Sequence, residues 1–186
     1  MSREIVTMRI IAGKYRHRKI LWPSDKSIRP TKDRIREAVF SMLGDLSNKV
    51  FLDLYSGSGA IAIEAISRGA GKTYFVDNSQ TAIKCIKENI SLLGINEEYE
   101  VHLMNDESFL SLSELENLKF DVIYLDPPYK EGQYEEIIMR IVNSNLLNED
   151  AIIVAESERD LSIDESLFKE VRIYKYGEIK IYKLRK

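Results

Sequence analysis

Hydrophobic positions along this chain keep two rhythms that alternate. From residue 50 onward, short apolar runs at 50–54, 72–76, 99–104, 120–125 and 151–155 are rich in β-branched and aromatic residues and read as buried strands. Between them, near 59–69, 80–94, 107–116 and 133–146, apolar residues recur three and four apart, as on one face of a helix. Ile83, Ile86, Ile90 and Leu93 form such a face in the second. This alternation predicts right-handed βαβ units, and therefore a parallel sheet covered by helices on both sides. Two final runs, 168–174 and 179–184, have only Tyr176-Gly177-Glu178 at the turn between them and no helix, so they predict a hairpin. The expected fold is α/β, a mostly parallel seven-stranded sheet ending in an antiparallel hairpin strand.

Ahead of that region the pattern differs. Residues 8–22 (MRIIAGKYRHRKILW) hold two apolar runs around Gly13-Lys14, which predicts a small N-terminal β-hairpin with basic residues at its turn and second strand. In IRPTKDRIREAVFSMLG, Thr31 suits a helix N-cap and Asp33 the first turn. Ile35, Ala38, Val39, Met42 and Leu43 make one stripe before Gly44 ends the helix, predicted over 31–43. The chain then divides into a basic hairpin extension, 1–28, and one larger domain, 29–186. At 186 residues such a chain buries about 70% of its unfolded surface without staples.

Composition narrows the chemistry. A single cysteine, Cys85, and two distant histidines, His17 and His102, offer neither a disulfide nor a metal-ligand cluster. Without a signal peptide or an apolar stretch of membrane-spanning length, a cytoplasmic protein with no membrane partner is expected. The net charge of −3 conceals a division. Residues 1–36 carry eleven Lys and Arg against three acids, whereas the rest carries sixteen against twenty-seven. An acidic body with a basic arm suits a polyanionic partner.

Two motifs carry the candidate chemistry. In VFLDLYSGSGAIAIEAISRG a strand passes through a Gly57-Ser58-Gly59 turn into a helix, where the backbone can approach a ligand closely. Asp77 ends the next strand, twenty residues after Gly57, so the turn also satisfies a loose dinucleotide fingerprint and cannot by itself separate NAD from another adenosine cofactor. Asp53, Asp77, Asp106 and Asp126 fall at the carboxyl ends of the first four strands and line one crevice. That crevice suits a sulfonium and an ammonium better than a pyrophosphate. In LDPPYKEG, Asp126 stands before Pro127 and Pro128, which stiffen the backbone, and Tyr129 adds a ring. The segment presents acceptors and an aromatic face.

Together, LDLYSGSGAIAIEA, VDNS, ND and LDPPY, preceded by RIIAGKYRHRKI and RPTKDRIREAVFSML, resemble the ordered motifs of the bacterial 16S ribosomal RNA guanine-N2 methyltransferases, the RsmD family. The resemblance implies a Rossmann-like class I methyltransferase that uses S-adenosyl-L-methionine, needs no metal, and acts on 16S ribosomal RNA of the small subunit. It implies that Asp53 and Ser56 with the Gly57 to Gly59 turn hold the cofactor, Asp77 its ribose and Asp106 its adenine amine, while Arg29 to Thr31 close over its methionine end. Asp126 and the Pro127 carbonyl would then accept the N–H groups of the target amine, Tyr129 would stack on the base, and Arg16, Arg18 and Lys19 would grip RNA. Two positions depart from the family pattern: Ile61 replaces a third glycine, and His17 stands where relatives often have glycine. The alternatives are a DNA adenine-N6 or cytosine-N4 methyltransferase, an NAD-dependent oxidoreductase and a noncatalytic RNA-binding protein.

Overall fold

A computed structural model describes residues 7–22, 33–128 and 133–186. Strands β1 (Thr7–Arg9) and β2 (Lys19–Leu21) form a two-stranded antiparallel ribbon. Helix α1 (Asp33–Leu43) leads into β3 (Val50–Asp53), α2 (Ala60–Ser67), β4 (Lys72–Asp77), α3 (Gln80–Leu93), β5 (Glu98–Leu103) and α4 (Asp106–Leu115). The chain continues through β6 (Phe120–Leu125), α5 (Gln133–Asn143), β7 (Leu147–Ser157), β8 (Glu170–Tyr176) and β9 (Ile179–Arg185). Seven strands make one sheet in the order β5-β4-β3-β6-β7-β9-β8. Its first five members run parallel, and β9 is antiparallel to both neighbours.

The elements agree in kind with the sequence pattern, most ends shift by one to four residues, and three of the shifts have clear local reasons. The pattern predicts β7 over 151–155, yet the strand starts at Leu147 because a register shift against β6 absorbs the polar residues Asn148, Glu149 and Asp150. Asp150 sits there at φ 60°, as an irregularity requires. β8 starts at Glu170 rather than 168, after a short 3-10 turn over Glu165–Leu167 whose Ser166 amide is capped by Asp164 at 3.1 Å. α4 starts at Asp106 rather than 107 because Asn105 caps it, accepting the Ser108 amide at 2.8 Å and leaving the Asp106 carboxylate at the first helical position.

Alternation along the strands sorts side chains to two faces. One face packs Leu52, Leu54, Tyr74, Phe120 and Ile123 against Phe109 of α4 and Ile137 of α5. The other packs Phe51, Val122, Tyr124, Val154 and Ile181 against Ile35, Val39 and Phe40 of α1 and Ile61 of α2. Ile61 therefore serves the core beneath α1, which accounts for an apolar residue at the position of the third glycine.

The ribbon shares a core with the body: Met8, Ile10, Tyr15 and Ile20 join Ile63 and Ile66 of α2 and Ile86 and Ile90 of α3. Its turn lies against the end of α2, where a Cβ added to Gly13 would come within 1.7 Å of the Ser67 carbonyl oxygen, so only glycine fits. The Lys14 amide donates to that carbonyl at 2.7 Å. Glu64 is fully buried, and its carboxylate accepts the amides of Ile11 (2.8 Å) and Ala12 (3.0 Å) and the Arg68 Nε–H (2.8 Å). Those bonds offset the desolvation of a carboxylate inside an otherwise apolar helix. Arg18 donates to the Leu92 and Leu93 carbonyls at 2.8 and 3.0 Å, closing the last turn of α3. His17 has φ 67°, a left-handed backbone that explains a preference for glycine at this position. The expected boundary at residue 28 lies outside the described residues.

Candidate active site

β3 pairs with β4 on one side and β6 on the other, so connections diverge at its carboxyl end, where an open α/β sheet forms its crevice. The turn leaving β3 carries Gly57 at φ 53° and Gly59 at φ 79°. A Cβ on Gly59 would also lie 3.1 Å from the side chains of Phe75 and Ile86, so the helix start is pressed onto β4 and α3. Ser56 ties the turn to the sheet by donating to the Asp53 carbonyl at 2.8 Å and accepting the Val76 amide at 3.1 Å.

The acids expected at the strand ends meet around this turn. Asp77 accepts the Gly57 amide through one oxygen and the Ser79 amide through the other, both at 2.8 Å, which leaves lone pairs for a further donor. Asp106 accepts the Tyr55 hydroxyl at 2.8 Å. Asp53 is 1% exposed and its Oδ2 has no hydrogen-bond partner. Burial first, then the charge of Asp77, pushes its pKa up to about 7.

Asp126 is half-buried just beyond β6, with Pro127 buried beside it. Its carboxyl is held well above the usual range by burial and then by the charges of Glu156, Asp53 and Glu158. Glu156, near the end of β7, is raised by burial while the Tyr124 hydroxyl, which donates to its Oε2, pulls the other way. Among the described residues the charges acting on Asp126 are all acidic. Such a crevice is relieved by a ligand that brings positive charge or N–H donors. The unpartnered Asp53 oxygen and the glycine turn fit a cationic nucleoside with a free ammonium group.

The structure thus brings together Asp53, Ser56, Gly57, Gly59, Asp77, Asp106, Asp126 and Pro127. Arg29, Thr31 and Tyr129 lie outside the described residues. Arg16, Arg18 and Lys19 project from the ribbon, with the Arg18 guanidinium engaged by α3. Among the described residues, no three His, Cys, Asp or Glu side chains are grouped to hold a metal ion.

The family model described as conserved hypothetical protein 95 matches residues 8–185. Ribosomal RNA small subunit methyltransferase D of Haemophilus influenzae is 34% identical over 155 residues, 82% of this chain and 80% of that protein. The chain belongs to this family, RsmD. YlbH of Bacillus subtilis (strain 168) is similar over nearly the whole length, at 35% identity across 183 residues, 96% of this chain and all of the relative. The solved structure of the yhhF protein of Escherichia coli superposes with a TM-score of 0.82 at 25% identity, covering 97% of this chain and 98% of that one.

Within this RsmD-family fold, sequence reasoning missed three partners: the half-buried Tyr55 on Asp106, and the buried Tyr124 on Glu156 and Glu64 under the ribbon. The available signal was a lone Glu inside an apolar run, IAIEAIS for Glu64 and IIVAES for Glu156. An acid at such a place must be paired or functional.

Proposed function

We propose that this protein methylates the exocyclic N2 amine of a guanine in 16S ribosomal RNA, within the small ribosomal subunit, using S-adenosyl-L-methionine. The observation that carries this reading is Asp126 followed by the stiff Pro127-Pro128 step, set at the mouth of an acid-lined crevice beside a glycine turn. Membership of the RsmD family supports the substrate class.

When bound, the cofactor supplies a methyl group activated by a sulfonium centre. The residues of the chain bind and aim. Asp53 offers its unpartnered oxygen to an ammonium, Asp77 its remaining lone pairs to ribose hydroxyls, and Asp106 an acceptor to the adenine amine. Arg29 and Thr31 close the methionine end, and Ser56 holds the turn in place. An exocyclic guanine amine is a poor nucleophile because its lone pair is delocalised into the ring. With its two N–H groups held by the Asp126 carboxylate and the Pro127 carbonyl, that lone pair is turned out of conjugation for in-line attack. Tyr129 stacks on the extruded base, worth roughly 1–3 kcal/mol. Arg16 and Lys19 on the ribbon meet phosphates.

Mass spectrometry of 16S ribosomal RNA from cells with and without this protein tests the reading. One N2-methylguanine present only with the protein is expected. Methylation of an adenine or cytosine amine instead would move the substrate, and NAD binding in place of S-adenosylmethionine would overturn the reaction class.

A further inference from the structure

Register pairs across the sheet place Asp53 beside Tyr124 and Tyr124 beside Val154, while Leu125 pairs with Ala155. The next residues are Asp126, just past β6, and Glu156, still within β7, which the register places side by side at the carboxyl edge, on the face shared by Tyr124. Glu156 is 7% exposed and held at two points: its carboxylate accepts the Tyr124 hydroxyl and its carbonyl the Tyr134 hydroxyl. Its register partner on β9 is the apolar Ile181. Among the described residues, the titratable groups around Asp126 are Asp53 of β3, Tyr124 of β6, Tyr134 of α5, Glu156 of β7 and Glu158 just past β7. A carboxylate buried in this setting is a cost to stability, so its presence calls for a task.

We propose that Glu156 is a positioning residue for methyl transfer, held by Tyr124 and acting through Asp126. This rests on the amine-methylating function proposed above. In the transfer step the amine lone pair forms the new N–C bond while the S–C bond breaks, its pair remaining on sulfur as a neutral thioether. The surplus proton on nitrogen passes to the Asp126 carboxylate and then to water. A second negative charge beside Asp126 strengthens its hold on that proton. The same charge keeps a proton on Asp126 to higher pH, and that proton must leave before Asp126 can accept from the amine, which gives methyl transfer an acid limb whose position Glu156 helps to set. Tyr124 enters by donating to Glu156, which favours the charged form of the acid.

The experiment measures single-turnover methyl transfer to small subunits lacking the modification, from pH 5 to 9, at saturating cofactor, for wild type, Glu156→Gln, Tyr124→Phe and the double variant. Glu156→Gln keeps an acceptor for the tyrosine but removes the charge, so its acid limb should move to lower pH by about one unit. Tyr124→Phe lets Glu156 take up a proton more easily and should shift the limb less, in the same direction. The double variant should shift no further than Glu156→Gln, because the tyrosine acts only through the acid. Cofactor affinity should stay within a few fold throughout. If both single variants transfer methyl with limbs that coincide with that of the wild type, Glu156 is scaffold only and the proposal fails; should Glu156→Gln not fold, the conservative Tyr124→Phe decides alone. Absence of transfer by the wild type would overturn the function itself, and this proposal with it.

Discussion

The buried carboxylate of Glu64 accepts the backbone amide of Ile11 at 2.8 Å across 53 residues of chain. With the Ala12 amide it makes a two-point clasp between α2 and the ribbon. Glu64→Gln replaces one acceptor with an amino group facing a donor. The expected cost is about 1–3 kcal/mol. Thermal denaturation should show that loss, and limited proteolysis should cut the ribbon sooner, while cofactor affinity stays within a few fold. Wild-type resistance to protease would mean that packing alone holds the ribbon.

Asp53 titrates near 7 in the folded chain, against about 4 when unfolded. Between those values the folded state binds more protons, so the contribution of this carboxyl to stability falls as pH rises through that window. Asp53→Asn should flatten the dependence of unfolding free energy on pH between about 4 and 7, and stabilise the ligand-free protein at pH 8 by up to about 4 kcal/mol. It should also weaken S-adenosylmethionine binding. Denaturant titrations at several pH values, with and without the cofactor, check both outcomes.

The proposed function divides the labour of the crevice between Asp126 and Asp77. Asp126→Ala should abolish methyl transfer and leave cofactor affinity within a few fold. Asp77→Ala should weaken the cofactor by about 1–3 kcal/mol, since it leaves ribose hydroxyls without a partner and releases the Gly57 amide of the turn. Equilibrium binding of labelled cofactor to both variants is the measurement, and equal losses would refute the division.

For RNA, the informative variant is Arg16→Ala with Lys19→Ala. Arg18 is left in place because its guanidinium closes α3, and its loss would mix stability with binding. RNA affinity should fall, and the slope of log affinity against log salt should become shallower by about 0.7–0.9 for each phosphate that the variant no longer neutralises. Coincident slopes would place the RNA surface elsewhere.

Much of this was legible in the sequence where local pattern and tertiary demand agree. β6 occupies the expected 120–125 because a β-branched, aromatic run bounded by charge and proline is also what a central parallel strand needs. The glycine turn and the acids at the strand ends were legible because Gly57 and Gly59 must take positive φ, because Asp53 and Asp77 end their strands and Asp126 directly follows one, and because Asp106 comes three residues after β5. The first part of β7 was hidden because its bulge is polar, and a bulge answers to the neighbouring strand rather than to its own pattern. The clasp on Glu64 and the Tyr124–Glu156 contact were hidden for the same reason, since each joins residues more than thirty positions apart. The ribbon's charge marked it as a surface, but nothing local in it announced that Arg18 would serve a helix end.

Helix α2 runs for eight residues between the glycine turn and the Gly13 contact at Ser67. At a rise of 1.5 Å per residue it is about 12 Å long. One end begins where the glycine turn finishes, and the other is bolted to the ribbon through Glu64 and Ser67. It works as a fixed ruler. With RNA held by the ribbon, as proposed above, the base has to be delivered across that span, so the length of α2 would fix the reach between a phosphate anchor on the ribbon and the glycine turn.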